Sequence, residues 1–234
     1  VTGGVPWNAF AFLTFFYQLS GYSDVQVAQI TLFSGFGGII GGLLGGQLGD
    51  WTSAPNQLPT YGRCLVAQTS VVLGTGCFLW MIYIPYGPGS FAMVVAAYFS
   101  FQATATWTCA AALRPMCGDL FKSSQDRAQV LALWIALEGI VSSFCGAPLA
   151  SALSYAFGYR LDSSGTSIPT DAAARAEDVG ALREALVGVS IIPWALCALA
   201  WFPMYVTYPR DKVAAEEQKA SAYLSVVQDD GLLH

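Results

Sequence analysis

Few side chains in this sequence could do chemistry, and one of them is placed unusually. Glu138 is the sole charged residue between positions 128 and 159, in a run of otherwise apolar and small residues. A carboxylate inside a membrane span costs about 3 kcal/mol, so it has to face a partner or a water-filled cavity. We therefore interpret Glu138 either as a proton-binding or substrate-contacting group, or as a protonated side chain that hydrogen-bonds a neighbouring helix.

The other reactive residue types form no catalytic pattern. The only histidine is His234, the last residue, so the sequence contains no Ser-His-Asp triad, no Cys-His dyad and no histidine zinc site. The six cysteines include no C-x-x-C pair. A net charge of −5 excludes a basic surface for nucleic acid. We predict a protein that is not an enzyme, holds no cofactor or metal, and binds no nucleic acid.

The apolar content indicates that the bilayer is the solvent. Hydrophobic residues make up 55% of the 234 positions and charged residues only 11%, which is more apolar surface than a soluble core of this size can bury. The apolar runs are continuous rather than alternating, which favours helices of about 20 residues. We predict an all-α integral membrane protein in contact with lipids. Its six transmembrane helices would lie at about 5–22, 26–48, 64–83, 91–112, 129–157 and 184–206, with a polar tail at 207–234.

Positive charges orient these spans. Most of the ten lysines and arginines lie in the loops 49–63 and 113–128 and after position 207. Because cytoplasmic loops are enriched in these residues, we predict that both loops and the C-terminus are cytoplasmic. The segment 158–183 would be a solvated loop on the opposite side. The plasma membrane and internal membranes both fit this topology.

Glycines recur every four residues in the second predicted span, and they form two neighbouring ridges. In lipid, small residues at this spacing let two helix backbones approach closely. We predict that one of the ridges is a close helix contact. The first ridge consists of Gly37, Gly41, Gly45 and Gly49, and the second of Gly38, Gly42 and Gly46.

Polar and aromatic residues share helix faces in the first and fourth predicted spans, at spacings of three or four residues. Such mixed groups suit an amphipathic or lipid-like solute, and they equally suit interhelical packing with satisfied hydrogen bonds. The resulting cavity candidates, which include the intramembrane acid, are Asn8, Phe12, Tyr98, Gln102, Thr106 and Glu138.

A short motif ends the second predicted span. Gly46-Gln-Leu-Gly-Asp50 is followed by Gly62-Arg63, and this combination resembles the loop signature of the major facilitator superfamily. Further segments, in their order and spacing, resemble the C-terminal six helices of Spinster-like transporters of the plant and protist branch. These segments are Pro6-Trp-Asn8, the stretch 16–24, the stretch 62–68, Arg114-Pro-Met116 and the stretch 136–149. The chain departs from this family at Trp51, where the signature has a basic residue, and at Trp134 and Ile135, where the branch has an Asp-Arg pair.

The resemblance implies one half of a major facilitator superfamily bundle. It further implies a secondary active transporter that moves a small organic or lipid-like solute by alternating access, with a proton as a candidate co-substrate. The N-terminal six-helix half would come from the same polypeptide or from a partner chain. The implied cytoplasmic gating motif consists of Gly46, Gly49, Asp50, Gly62, Arg63, Arg114 and Arg127.

Two alternatives stay open at this point. Arg114 and Arg127 could close a charge latch with the Asp50 loop, or they could simply be solvated positive charges. The whole bundle could instead be a non-transporting scaffold or docking subunit of a larger membrane complex, because a fold does not dictate its function.

Overall fold

Helices connected by short turns make up the computed structural model, which describes residues 2–121, 123–160 and 171–231. No strand occurs in these ranges. Short 3₁₀ turns lie at Thr2–Gly4, Phe10–Phe12 and Pro88–Ser90, and a π-helical turn lies at Cys109–Leu113. The α-helices are α1 (Val5–Ala9), α2 (Leu13–Leu19), α3 (Asp24–Thr52), α4 (Gly62–Tyr83), α5 (Phe91–Ala105), α6 (Arg114–Leu120), α7 (Ser124–Ala156) and α8 (Ala172–Gly231).

Four of these helices are long and apolar enough to cross a membrane. They lie at Asp24–Thr52, Gly62–Tyr83, Ser124–Ala156 and Ala172–Gln218. This confirms the all-helical class and is compatible with a membrane protein. The other two predicted spans, 5–22 and 91–112, are helical but are not single continuous helices.

The first predicted span is divided into α1 and α2 by the turn Phe10–Phe12. Pro6 lies in the first turn of α1, where its missing amide hydrogen is tolerated. Phe10 packs among aromatic rings, with its centroid 5.6 Å from both Phe78 and Phe101. This packing offsets the poorer hydrogen-bond geometry of a 3₁₀ turn.

The fourth predicted span is interrupted after Ala105 and continues as the π turn. Around the break, side chains donate hydrogen bonds to carbonyls of the preceding turn, and such bonds compete with the regular helical pattern. The donors are Thr104 to Ser100 at 2.9 Å, Thr106 to Gln102 at 2.9 Å and Trp107 to Ala103 at 2.6 Å. π-helical turns inside helices are rare and are frequent at functional sites.

Helix α8 is longer than the sequence pattern predicts at both ends. Residues 172–183 of the predicted solvated loop and residues 207–231 of the predicted tail are helical, since α8 begins at Ala172 and ends at Gly231. Alanine, which favours helix, recurs in both extensions. Positions 161–170 and 232–234, including His234, lie outside the described residues.

The first glycine ridge of α3 is packed against the chain from Phe99 to Ala111. A Cβ placed on Gly37 would lie 2.5 Å from the Phe99 carbonyl oxygen, and one on Gly45 would lie 2.6 Å from the Trp107 Cα. The second ridge is open, since a Cβ on Gly42 or on Gly46 would meet no atom within 4 Å. The first ridge is therefore the one in contact. The full series of facing pairs is Gly37 with Phe99, Gly41 with Ala103, Gly45 with Trp107 and Gly49 with Ala111.

This difference between the ridges gives a matched pair of variants. Gly45→Ala places a methyl group against the Trp107 backbone, so we expect the unfolding free energy to fall by about 1–3 kcal/mol. Gly46→Ala places the same methyl in open space, and we expect no loss, or a gain of up to about 1 kcal/mol from helix propensity. Thermal unfolding of both variants in the same lipid measures the difference. Equal destabilisation of the two variants would contradict the packing described.

Candidate functional site

A cavity of about 430 Å³ lies where the first element (residues 2–19, which include α1 and α2), α4, α7, α8 and the interruption between α5 and the π turn meet. Its volume falls in the range of small-molecule sites, about 300–1,000 Å³. Four tryptophans, several hydroxyl groups and a single carboxylate line it. These residues include Trp7, Trp134, Trp194, Trp201, Ser70, Thr75, Thr106, Thr108 and Glu138.

Glu138 is half-buried on α7 at the wall of this cavity. Its carboxylate lies directly against the first element, because a Cβ placed on Gly4 would be 2.8 Å from Oε1. Ser142, a neighbouring hydroxyl, donates at 2.5 Å to the backbone carbonyl of Glu138 rather than to its side chain. Within the described ranges, no side chain forms an ion pair or hydrogen bond with the carboxylate. Its oxygens therefore remain available to a solute.

Two of the six predicted cavity residues, Thr106 and Glu138, line the cavity, and four do not. Asn8 instead packs against Gly146, since a Cβ there would be 2.7 Å from the Asn8 Cβ. Tyr98 is buried among aromatic rings, and Phe12 and Gln102 are half-buried elsewhere. The turn Phe10–Phe12 interrupts the face that Asn8 and Phe12 were expected to share. Tyr98 and Gln102 both lie within the continuous α5, and only Thr106, just after its end, reaches the cavity.

The tryptophan lining is a feature that the sequence analysis missed. Four of the seven tryptophans reach this one cavity, although they come from three separate elements. Trp194 is only 6% exposed, and its ring centroid lies 5.1 Å from that of Phe78 and 5.8 Å from that of Phe101. Trp7 also packs on Phe101, at 5.7 Å. The usable signal was Trp194, which lies well inside the predicted span 184–206 and away from the interfacial positions that the residue favours.

The predicted gating motif is centred on Arg63. Its guanidinium donates to the Asp50 carboxylate at 3.1 Å and to the buried Ala111 carbonyl at 3.1 Å. One side chain thus joins the ends of α3 and α4 to the π turn. The backbone is also tight here, because a Cβ on Gly49 would be 2.8 Å from the Ala111 Cα. A Cβ on Gly62 would collide with the Thr52 carbonyl.

The other predicted members of that motif lie outside this contact. Gly46 faces open space, and Arg114 is exposed. Arg127 is half-buried, and its guanidinium is 4.0 Å from a Cβ placed on Gly118. Neither arginine forms an ion pair with a residue in the described part of the chain. In this structure the partner of Asp50 is therefore Arg63.

A second polar contact at the same end of the bundle was not predicted. Tyr208 on α8 donates to the Asp119 carboxylate at 2.5 Å, and Lys212 approaches the same carboxylate at 4.0 Å. These contacts attach the extended part of α8 to α6. Residues that sequence analysis placed in or just before a separate tail are thus part of the bundle.

Comparison with known proteins finds no matching family model, no matching curated protein and no matching solved structure. The site is therefore interpreted from its own residues and their geometry.

The two contacts of Arg63 should differ in their contribution to stability. Asp50→Asn removes only an ion pair whose carboxylate is 74% exposed, so we expect the unfolding free energy to fall by less than about 1 kcal/mol. Arg63→Ala also leaves the buried Ala111 carbonyl without its donor, and we expect a loss of about 1–3 kcal/mol. Chemical denaturation of both variants tests this order. A larger effect of Asp50→Asn would show that the ion pair dominates.

Proposed function

We propose that this chain is one half of a secondary transporter, which moves a small organic or lipid-like solute by alternating access. The observation that carries the proposal is the cavity at the meeting point of two interrupted helical elements. Transporters commonly form their solute sites from discontinuous helices, because interrupted backbone is tolerated in a membrane where it lines a cavity. A carboxylate at the cavity wall and hydroxyl groups beside it supply the polar contacts that such a site needs.

The proposal includes a six-span topology and a cytoplasmic position for the Asp50 and Arg63 end. The resemblance to the C-terminal half of Spinster-like members of the major facilitator superfamily supports both, together with the positive-inside bias. In this view, Arg63 holds the ends of α3 and α4 against the π turn in one conformation. On separation of the pair the Asp50 carboxylate, which is 74% exposed, is solvated by water, while the Arg63 guanidinium, which is 16% exposed, keeps its hydrogen bond to the Ala111 carbonyl.

The second candidate is a scaffold or docking subunit. Large apolar faces of α3 and α7 favour it, since both are exposed in the isolated chain. Phe144 on α7 is 78% exposed and Leu43 on α3 is 66% exposed. Lipid, the other half of a transporter or a different membrane protein would each cover such a surface. The two candidates differ in whether the cavity opens to both sides of the membrane.

The cysteines allow a direct test of access from each side. Cys109 is exposed and lines the cavity, whereas Cys77 packs against the hydrophobic core away from it. One variant retains Cys109 alone, and a control retains Cys77 alone, with the other cysteines replaced by alanine. Each is treated with a membrane-impermeant maleimide in sealed vesicles of either orientation.

We expect Cys109 to react from both sides of the membrane, because alternating access exposes the cavity to each side in turn. Cys77 should react from neither side. Reaction of Cys109 from one side only, in a protein that remains folded, would contradict the transporter and favour the scaffold.

A further inference from the structure

The composition of the cavity wall selects a chemical class of solute. We propose that the cavity binds the ammonium group of an organic cation, held between the Glu138 carboxylate and the faces of the surrounding tryptophans. That this cation is a transported solute rests on the proposed function. The binding itself rests only on the cavity.

The charge of the cavity wall favours a cation. Glu138 is the only charged side chain among the described residues that line the cavity, and no lysine or arginine lines it. An anionic solute would therefore be repelled by the one charged side chain of the wall. A cation would neutralise a carboxylate that has no other partner in the described part of the chain, and in low dielectric such pairing is strong.

The aromatic lining is the second argument. Indole is the best ring for cation–π attraction, and aromatic cages recognise quaternary ammonium groups in this way. Aliphatic side chains would form the same wall, so the shape of the cavity alone does not require four indoles. Trp194 and Trp201 are each 6% exposed, so packing fixes them and they present little surface to a solute. Trp7, which is 37% exposed, and Trp134, which is half-buried, supply the accessible indoles.

The hydroxyl groups of the cavity indicate which hydrogen-bonding groups the cation carries. Ser70 donates to the Thr104 carbonyl at 2.7 Å, Thr75 to Val71 at 2.7 Å and Thr106 to Gln102 at 2.9 Å. Their protons are already engaged by backbone carbonyls, so they can only accept further hydrogen bonds. Hydroxyl groups that can only accept suit a cation that carries a hydroxyl or an N–H group.

The test is equilibrium binding of tritiated choline to the purified protein in nanodiscs of phosphatidylglycerol. Unlabelled choline should compete, whereas 3,3-dimethylbutan-1-ol, the neutral molecule of the same shape, should compete at least about tenfold more weakly. Equal competition by the neutral molecule would overturn the proposal, as would the absence of choline binding.

Variants assign the binding to the cavity. Glu138→Gln keeps the shape of the side chain and should raise the choline Kd about tenfold, with little effect on the neutral alcohol. Trp134→Leu should weaken binding, and Trp134→Phe should restore part of it, because phenylalanine retains a π face. Controls outside the cavity are Glu184→Gln and Trp80→Leu, both at exposed positions, and they should leave the Kd unchanged. Equal effects of the control and cavity variants would overturn the assignment.

Two further comparisons complete the test. The first distinguishes a lipid headgroup from a free cation as the source of the ammonium group, and the second distinguishes the cation site from the proposed transport. If phosphatidylcholine in the nanodisc lowers choline binding, a lipid headgroup reaches the cavity; if it does not, the site takes a free cation. Choline binding with Cys109 reactive from one side only would retain the cation site and reject transport. Two-sided reactivity without choline binding would retain transport and reject this class of solute.

Discussion

The close contact between the glycine ridge of α3 and the backbone from Phe99 to Ala111 sets the position of everything around the cavity. Because α3 has no side chains on this surface, α3 and α5 approach until their backbones are in contact. A Cβ placed on Gly37 would lie only 2.5 Å from the Phe99 carbonyl oxygen. The contact continues past the end of α5 and along the π turn. An interruption that would be loose in isolation is therefore held against a continuous helix, and its polar residues are fixed where the cavity forms.

The same arrangement recurs at the other interrupted element. Gly146 on α7 receives the first element, with a Cβ there only 2.6 Å from the Val5 carbonyl oxygen. Each interrupted element thus packs against glycine residues of a continuous helix. In an apolar solvent the freed backbone groups must be satisfied by protein or by water in a cavity. The bundle provides side-chain donors at the break after Ala105 and a cavity beside it, and both conditions are met in one place.

The helical class and the close glycine contact were predictable from sequence, whereas features that depend on how separate helices meet were not. The apolar runs gave the helical class, the four-residue glycine period indicated close packing, and a mid-span carboxylate indicated a cavity or partner at Glu138. Tyr98 and Gln102 were misplaced because the spacing along one helix does not show which neighbour its face meets; both lie within the continuous α5, and only Thr106, just after its end, lines the cavity. The start of α8 was placed too late because the polar and small residues of 158–183 were interpreted as a solvated loop, although its alanine-rich part from Ala172 favours helix. The tryptophan lining depends on three elements converging, which no local pattern contains.

The most direct test of the cavity is a crosslink across its wall. A Cβ on Gly3 would lie 3.9 Å from the Cys197 Cβ and 3.1 Å from its sulfur, and this spacing suits a disulfide. Gly3→Cys should therefore form a disulfide with the native Cys197 in high yield under mild oxidation, measured by mass spectrometry of the peptides. Gly139→Cys, which has no atom near its Cβ, should not crosslink. Absence of the Gly3→Cys crosslink in folded protein would mean that the first element does not close on α8, and the cavity described here would not exist.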